Sequence, residues 1–185
     1  MIIECEDLEF CREVAWARNE THLPSANERI SIRDGDHAIH LKGVMAELAW
    51  RRDLGISDEQ PWVYEDRDPG YDFVWRGLTV DVKASSSLHL GMEQVKFMIP
   101  EYKPLLAELY VMSAIGPIDK HAYMVKPLGG ISRQKFRQVH EVGHEFPPFR
   151  LPTRWVPFEA LTTLKGLKAS TQEQVKTLQE VSNRD

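Results

Sequence analysis

The sequence predicts a single α/β domain, because it holds both helix-type and strand-type segments within 185 residues. Three segments carry this prediction: a helix pattern from Asp36 to Gly55, a strand hairpin at residues 71–83, and an apolar strand from Ala107 to Ile115. A chain of this length is long enough to bury one hydrophobic core. We therefore expect one domain over residues 1–185 and no second domain.

The first part of the chain is predicted to be mainly helical. Helical character extends from Asp7 to about Thr21, and a short strand is predicted at Arg29–Arg33 among turn residues. Asp36 is suited to be the N-cap of the next helix and Gly55 to be its C-cap, which sets both ends of that helix.

The helix that begins at Asp36 carries one stripe of side chains at helical spacing. These residues are His40, Val44, Glu47 and Arg51. Gly43, one turn before Glu47, lowers helix stability but permits another backbone to approach closely. Residues Trp62–Glu65 then form a predicted strand, which a turn-rich link joins to the hairpin.

Residues 71–83 alternate apolar and polar side chains in two halves, which is the period of two expected of a β-hairpin. A two-residue loop at Arg76-Gly77 would pair the two strands so that Asp72 meets Asp81. Opposed side chains on neighbouring strands have Cβ atoms roughly 4.5–5.5 Å apart. Two carboxylates at that separation repel each other unless a positive charge lies between them.

A divalent cation between Asp72 and Asp81 would supply that positive charge. Lys83 points to the same side of its strand as Asp81, where its ammonium can orient or deprotonate a water or stabilise a phosphate. Oxygen ligands without thiolates favour Mg²⁺, with Mn²⁺ as the alternative, over Zn²⁺. The competing interpretation is an ordinary hairpin with a solvated polar face, in which Asp72 caps a turn.

The second half of the chain continues the mixture of strands and helices. A helical segment interrupted by Pro100 is predicted within Gly91–Lys103, followed by the buried strand from Ala107 to Ile115. Residues Ala122–Lys126 form its predicted antiparallel neighbour. Ser132 is suited to be the N-cap of a further helix, and a short amphipathic helix is predicted from Ser170 onward.

The motif residues match a known pattern when they are taken in chain order. Gly43-x-x-Ala46-Glu47 lies on a helix, Asp72 follows, and Asp81-Val82-Lys83 lies across a hairpin, all within about residues 36–126. This order resembles the PD-(D/E)XK nuclease superfamily. The resemblance implies a restriction-endonuclease-like three-layer fold, with a central mixed β-sheet flanked by helices. Its core would consist, in chain order, of a helix, a three-stranded antiparallel meander, a second helix and a further strand.

The resemblance also implies metal-dependent cleavage of a phosphodiester bond. Glu47, Asp72 and Asp81 would bind the metal, and Lys83 would take the place of the motif lysine. The chain departs from the pattern at Tyr71, where the family name has proline. The Gln-x-x-x-Tyr segment of some exonuclease branches is also missing, so the branch is unassigned.

Charge is distributed unevenly along the chain, whose net charge is −5. Residues 1–82 hold 9 basic and 18 acidic side chains, whereas residues 83–185 hold 14 and 10. A basic second half could track the phosphate backbone of DNA, although an even scatter of solvated lysines is the alternative. The candidate DNA contacts are Ser85 and the basic residues of the helix after Ser132, namely Arg133, Lys135 and Arg137.

The start of the chain has acidic residues where a signal peptide needs basic ones. No apolar run approaches the roughly 18 residues of a membrane span. We therefore expect a soluble, cytoplasmic protein without membrane contact. Cys5 and Cys11 lack Cys-x-x-Cys spacing, which argues against a disulfide framework and against a zinc knuckle.

A competing motif is His140-Glu141-Val142-Gly143-His144, which matches the His-Glu-x-x-His pattern of zinc peptidases. That pattern places two imidazoles one helical turn apart. It therefore needs a continuing helix, which Gly143 weakens and Pro147-Pro148 would end. We expect the two histidines to belong to a helix end instead.

Together these patterns predict a Mg²⁺-dependent deoxyribonuclease, an endonuclease for recombination, repair or restriction. Glu47, Asp72 and Asp81 would hold the metal, and Lys83 would position the nucleophile. One alternative is a catalytically silent nuclease-fold module that binds DNA, and the zinc metallopeptidase is a weaker one. A two-fold homodimer would be the simplest arrangement for cutting both strands of a duplex.

Overall fold

A mixed β-sheet lies between two helices on one face and a smaller sheet on the other. The computed structural model describes residues 1–21, 36–57, 59–63, 69–86, 96–143 and 152–170. Its helices are α1 (Cys5–Thr21), α2 (Asp36–Leu54) and α3 (Arg133–Val139), with a 3₁₀ turn at Phe158–Ala160 and further helical residues at 164–170. Its strands are β1 (Ile2–Glu4), β2 (Phe73–Trp75), β3 (Leu78–Ser85), β4 (Lys96–Pro100), β5 (Leu109–Pro117), β6 (Ala122–Ser132), β7 (Glu141–Gly143) and β8 (Thr153–Pro157).

Within the described ranges, the larger sheet has five strands in the order β1-β6-β5-β3-β2. β3 and β5 run parallel, and the other neighbours are antiparallel. The smaller sheet has the order β4-β8-β7. The predicted α/β class and the mixed sheet are therefore confirmed. No helix in these ranges combines the length and the apolar character that a membrane span requires.

β5 separates the two hydrophobic cores, because eight of its nine residues are buried. Leu109 and Val111 face the core that contains α1 and α2. Tyr110 and Met112 face the core that contains β4, β8 and α3. Side chains alternate across a strand, so one fully buried strand supplies both cores at once.

α2 is the central helix, and every residue from Val44 to Trp50 is buried. It packs against α1 on one side and against β3, β5 and β6 on the other. Gly55 follows the helix with a φ of 68°, the left-handed conformation typical of a helix end, so the predicted bounds are confirmed. Gly43 permits the close approach of another backbone, but in the described residues none makes it, because a Cβ added there would meet no atom within 4 Å.

The hairpin of β2 and β3 has the predicted register, in which Trp75 pairs with Leu78. Arg76 and Gly77 have φ angles of 50° and 81°, as a two-residue type I′ turn requires. On the outer side of β2, the side-chain amide of Gln60 bonds both backbone groups of Val74, each at 2.8 Å. Gln60 therefore takes the place of a neighbouring strand.

Other local predictions have mixed outcomes. β5 and β6 are antiparallel neighbours as predicted, and the Ser132 hydroxyl caps α3 by accepting from the N–H of Lys135 at 3.2 Å. The helix predicted within Gly91–Lys103 is wrong at residues 96–100, which form β4. The alternating residues Phe97 and Ile99 are buried there, which is a strand pattern.

Two further predictions are corrected. Trp62 and Val63 form bends rather than a strand, and the rest of that predicted strand lies outside the described residues. In the described part of the chain there is no three-stranded antiparallel meander, because the second neighbour of β3 is the parallel strand β5. The strand predicted at Arg29–Arg33 and the helix predicted after Ser170 also lie outside the described residues.

Gly130→Ala should lower the free energy of unfolding by about 1–3 kcal/mol, because the new methyl would press on neighbouring atoms. A Cβ at this position would lie 2.8 Å from the carbonyl oxygen of Tyr110 and 2.9 Å from Cγ1 of Val111. Gly43→Ala is the matched control and should raise stability by about 0.5–1 kcal/mol, since α2 has open space there. Urea denaturation of both variants measures these changes, and equal effects would contradict the expected contrast.

Candidate functional site

Asp72 lies where the strands of the hairpin separate. Its backbone N–H donates to the carbonyl oxygen of Val80 at 2.8 Å. Its carboxylate oxygen Oδ2 accepts from the N–H of Val82 at 2.6 Å. In a regular hairpin the N–H of a β3 residue would bond a backbone carbonyl of β2, but the N–H of Val82 bonds the side chain of Asp72 instead. This hydrogen bond holds the Asp72 carboxylate beside Asp81.

Asp81 and Lys83 point away from the core beneath α1 and α2, since Val80 and Val82 face that core and side chains alternate along β3. In the strand register Asp81 lies opposite Tyr110, which faces the second core. The Lys83 ammonium lies 2.5 Å from Oδ1 of Asp81. The two side chains are 30% and 17% exposed, so solvent and ligands can reach this pair.

Glu47 approaches from α2, on the other face of the sheet, with its side chain only 1% exposed. Its Oε2 accepts from Nη2 of Arg18 at 2.6 Å, and its Oε1 accepts from Nε of Arg51 at 2.9 Å. Nη1 of Arg18 also lies 4.0 Å from Oδ1 of Asp72. The charged groups thus form a series that runs from Glu47 through Arg18 to Asp72 and on to the Asp81–Lys83 pair.

Arg51 anchors the segment that carries Asp72. Its guanidinium donates to the backbone carbonyls of Gln60, Pro61 and Asp72 at 3.1, 2.8 and 3.1 Å. It also lies over the ring of Trp62, 4.0 Å from the centroid. Sequence reasoning placed Arg51 on the Glu47 stripe without a role, and the same reasoning missed Arg18. Arg18 meets Glu47 only because α1 packs on α2, and no sequence spacing indicates that contact.

Burial and neighbouring charges shift the pKa values of the site. Burial raises the pKa of Glu47 to about 7, the charge of Asp72 adds to this, and the two arginines oppose it. Burial raises the pKa of Asp81 to about 6, with Lys83 opposing and Asp72 adding. Since the charge of Asp72 acts on both groups, the three carboxylates share one electrostatic region.

Lys83 remains a cation at neutral pH. Burial lowers its pKa, but the negative charges of Asp81 and Asp72 outweigh that effect and the net shift is upward. The ammonium can therefore donate hydrogen bonds and stabilise negative charge. A protonated amine suits two of the three roles expected of Lys83, namely orienting a water and stabilising a phosphate.

Among the described residues, no three His, Cys, Asp or Glu side chains gather closely enough to hold a metal ion. Glu47 does not fit as a ligand in this arrangement, because both of its oxygens accept from guanidinium groups. Asp72 and Asp81 do fit a hard cation, since they are adjacent and partly exposed. Mg²⁺ keeps several waters and is often held by only one or two carboxylates.

The predicted DNA contacts occupy different surfaces. Ser85 follows Lys83 by two residues on β3 and so shares its side of the strand. Arg133 and Arg137 lie one turn apart on α3 and share a face. Lys135 is turned away from them, and its ammonium donates to the carbonyl oxygen of Ala160 at 3.1 Å.

Residues 140–143 of the His-Glu-x-x-His motif are not helical, so they do not form the helical zinc site that a peptidase with this motif needs. α3 ends at Val139, His140 caps it, and Glu141–Gly143 form β7. The ring of His140 stacks on Phe136 with centroids 5.4 Å apart. The prediction that His140 belongs to a helix end is confirmed, whereas His144 lies outside the described residues.

No protein-family model, curated protein or solved structure matches the chain. A functional assignment therefore depends on the geometry and chemistry of the site. That geometry comprises two adjacent carboxylates, one protonated amine, and a third carboxylate held by two arginines.

Arg51→Met should lower the free energy of unfolding by about 3–5 kcal/mol, because it leaves the buried Glu47 carboxylate with one partner fewer and three carbonyls without a donor. Arg52→Met is the matched control. Arg52 pairs with Asp7 on the surface, where the side chains are 47% and 32% exposed, so its loss should cost less than about 1 kcal/mol. Chemical denaturation measures both, and a small effect at Arg51 would show that its contacts are not needed.

The raised pKa of Glu47 predicts a pH-dependent stability. The folded state holds this proton up to a pH of about 7, whereas the unfolded state releases it near its usual value of 4.5. The free energy of unfolding should therefore fall by about 2–3 kcal/mol as pH rises across that window. Glu47→Gln should remove this part of the slope, as followed by denaturation at several pH values. Parallel slopes in the two proteins would mean that the arginines keep Glu47 ionised.

Proposed function

We propose that the chain is a metal-dependent deoxyribonuclease of restriction-endonuclease-like architecture. One observation carries the proposal: Asp72 lies beside the Asp81–Lys83 pair where β2 and β3 separate. Adjacent carboxylates can hold a divalent cation, and a protonated amine can stabilise the charge that develops on a phosphate. Hydrolysis of a phosphodiester bond would use both the divalent cation and the protonated amine.

The arrangement of elements supports the same function. A mixed sheet lies between α1 and α2 on one face and β4, β8 and α3 on the other, which makes three layers. α2 carries Glu47 and precedes the hairpin that carries Asp72, Asp81 and Lys83. This is the order in which the resembling superfamily presents its motifs.

The side chains of the site have distinct roles in the proposal. Asp72 and Asp81 would hold Mg²⁺ or Mn²⁺, which supplies Lewis acidity toward the phosphate and lowers the pKa of bound water. The N–H of Val82 orients the carboxylate of Asp72, and the ammonium of Lys83 orients that of Asp81. Lys83 also stabilises the additional negative charge of the pentacovalent phosphate.

Glu47 acts on the site through its arginines. It places the positive charge of Arg18 beside Asp72, and with Arg51 it fixes the Asp72 backbone. Its predicted role as a third metal ligand would require Arg18 to turn away. In the described arrangement Glu47 is therefore a positioning residue.

The second candidate is a nuclease-fold module that binds DNA without cutting it. One observation favours it: Arg18 reaches both Glu47 and Asp72, so a protein side chain already supplies positive charge between two of the acids. Such a module would bind DNA but show no metal-dependent hydrolysis.

Incubation of the protein with supercoiled plasmid and Mg²⁺ should give nicked product that a chelator abolishes. Asp81→Asn removes a negative ligand, and Lys83→Met removes the ammonium that stabilises the phosphate. Each should lower the nicking rate by about 100-fold or more.

Asp119→Asn and Lys120→Met are the matched controls, because they make the same changes in the exposed turn between β5 and β6. Both should keep the unmodified rate. DNA binding without nicking in either Mg²⁺ or Mn²⁺ would support the silent module and remove the hydrolase.

A further inference from the structure

The segment that joins β4 to β5 passes beside the site. Leu106 packs against Gly70, two residues before Asp72, so closely that a Cβ on Gly70 would lie 2.9 Å from the Cβ of Leu106. Tyr71 packs on the same core as Leu105 and Ala107. This segment and the loop that carries Asp72 therefore form one continuous surface.

Arg154 of β8 holds the start of this segment. Its Nη2 donates to the carbonyl oxygens of Pro100 at 3.0 Å and Glu101 at 3.2 Å, and also to that of Lys103. The N–H of Lys103 closes the turn onto the carbonyl oxygen of Pro100 at 3.1 Å. Lys103 is thus an exposed cation on a turn whose backbone is fixed.

Lys103 is exposed and lies three residues before Leu106, whose side chain packs against Gly70 two residues before Asp72. The ammonium of Lys103 is therefore carried by the segment that borders the site.

Positively charged side chains of α3 extend the basic residues of this region away from the site. Nη1 of Arg133 donates to the carbonyl oxygen of Leu106 at 3.0 Å, which joins α3 to the segment. Arg137 is exposed one turn later on the same face. Lys103, Arg133 and Arg137 together define the basic surface. Lys135 lies two positions from Arg133 on α3 and so faces another side of the helix, where its ammonium donates to Ala160, and it is not part of the basic surface.

We propose that the basic surface binds the phosphate backbone of duplex DNA and directs it to Asp72 and Asp81. This inference rests on the proposed function, since it names the path of that substrate. The chain has a net charge of −5, and residues 1–82 hold twice as many acidic as basic side chains. The many acidic side chains of residues 1–82 repel a polyanion such as DNA. The cations of the basic surface therefore set the direction from which DNA approaches the site.

The test is the affinity for a fluorescently labelled duplex, measured by anisotropy in chelator at several salt concentrations. Lys103→Ala and Arg137→Ala should each weaken binding about 3–10-fold, equally for two unrelated sequences, because phosphate contacts carry no sequence information. Each should also reduce the slope of log affinity against log salt by about 1. Lys120→Ala, in the turn between β5 and β6, is the control and should change the affinity less than twofold.

Lys135→Ala distinguishes the basic surface from a strip along the whole of α3. Its affinity should stay within twofold of the unmodified protein, and a loss equal to that of Arg137→Ala would overturn the surface as defined. Unchanged affinity in Lys103→Ala and Arg137→Ala would overturn it as well, as would an equal loss in Lys120→Ala. Matching thermal midpoints for all variants exclude unfolding as the cause.

Binding without metal separates this inference from the proposed function. If the protein binds DNA through Lys103 and Arg137 but never nicks it, the proposed hydrolase is overturned and the basic surface is supported. If the protein nicks plasmid while both variants bind DNA normally, the basic surface is overturned and the proposed hydrolase is supported.

Discussion

The buried contact between Glu47 and Arg51 is the interaction on which the rest of the site depends. A guanidinium withdrawn from water is stable only when its remaining polar atoms are also bonded. Arg51 meets this condition by donating to the backbone at Gln60, Pro61 and Asp72. The same bonds that satisfy the guanidinium therefore join α2, the segment beside β2 and the start of the hairpin into one rigid unit.

The end of strand pairing creates the candidate site. If β2 continued to pair regularly with β3 beyond Phe73, Asp72 would be an ordinary residue of the antiparallel strand pair. Its carboxylate instead bonds the N–H of Val82, at a sheet edge that both faces can reach. Glu47 approaches this edge from the helix side, and Asp81 and Lys83 approach it from the other. Carboxylates that are far apart in sequence become electrostatically coupled there.

Local patterns predicted the local structure well. The period of two and Gly77 gave the correct hairpin register, and Asp36 and Gly55 gave the ends of α2. β4 was mistaken for helix because five residues with a proline show little periodicity, and its partner β8 lies more than 50 positions away. The arginines that hold Glu47 could not be foreseen as a pair, because Arg18 reaches it only through helix packing. Spacing alone also does not show which face of the sheet a side chain occupies.

The amide of Gln60 has a consequence for self-association. An edge strand with unsatisfied backbone groups can recruit a strand from another molecule and so start aggregation. At Val74 both groups already bond Gln60, whose own backbone Arg51 holds in place. An intermolecular sheet across β2 would have to break these bonds first. Two copies of the chain that met at this edge would therefore contact each other through side chains rather than by extending a common sheet.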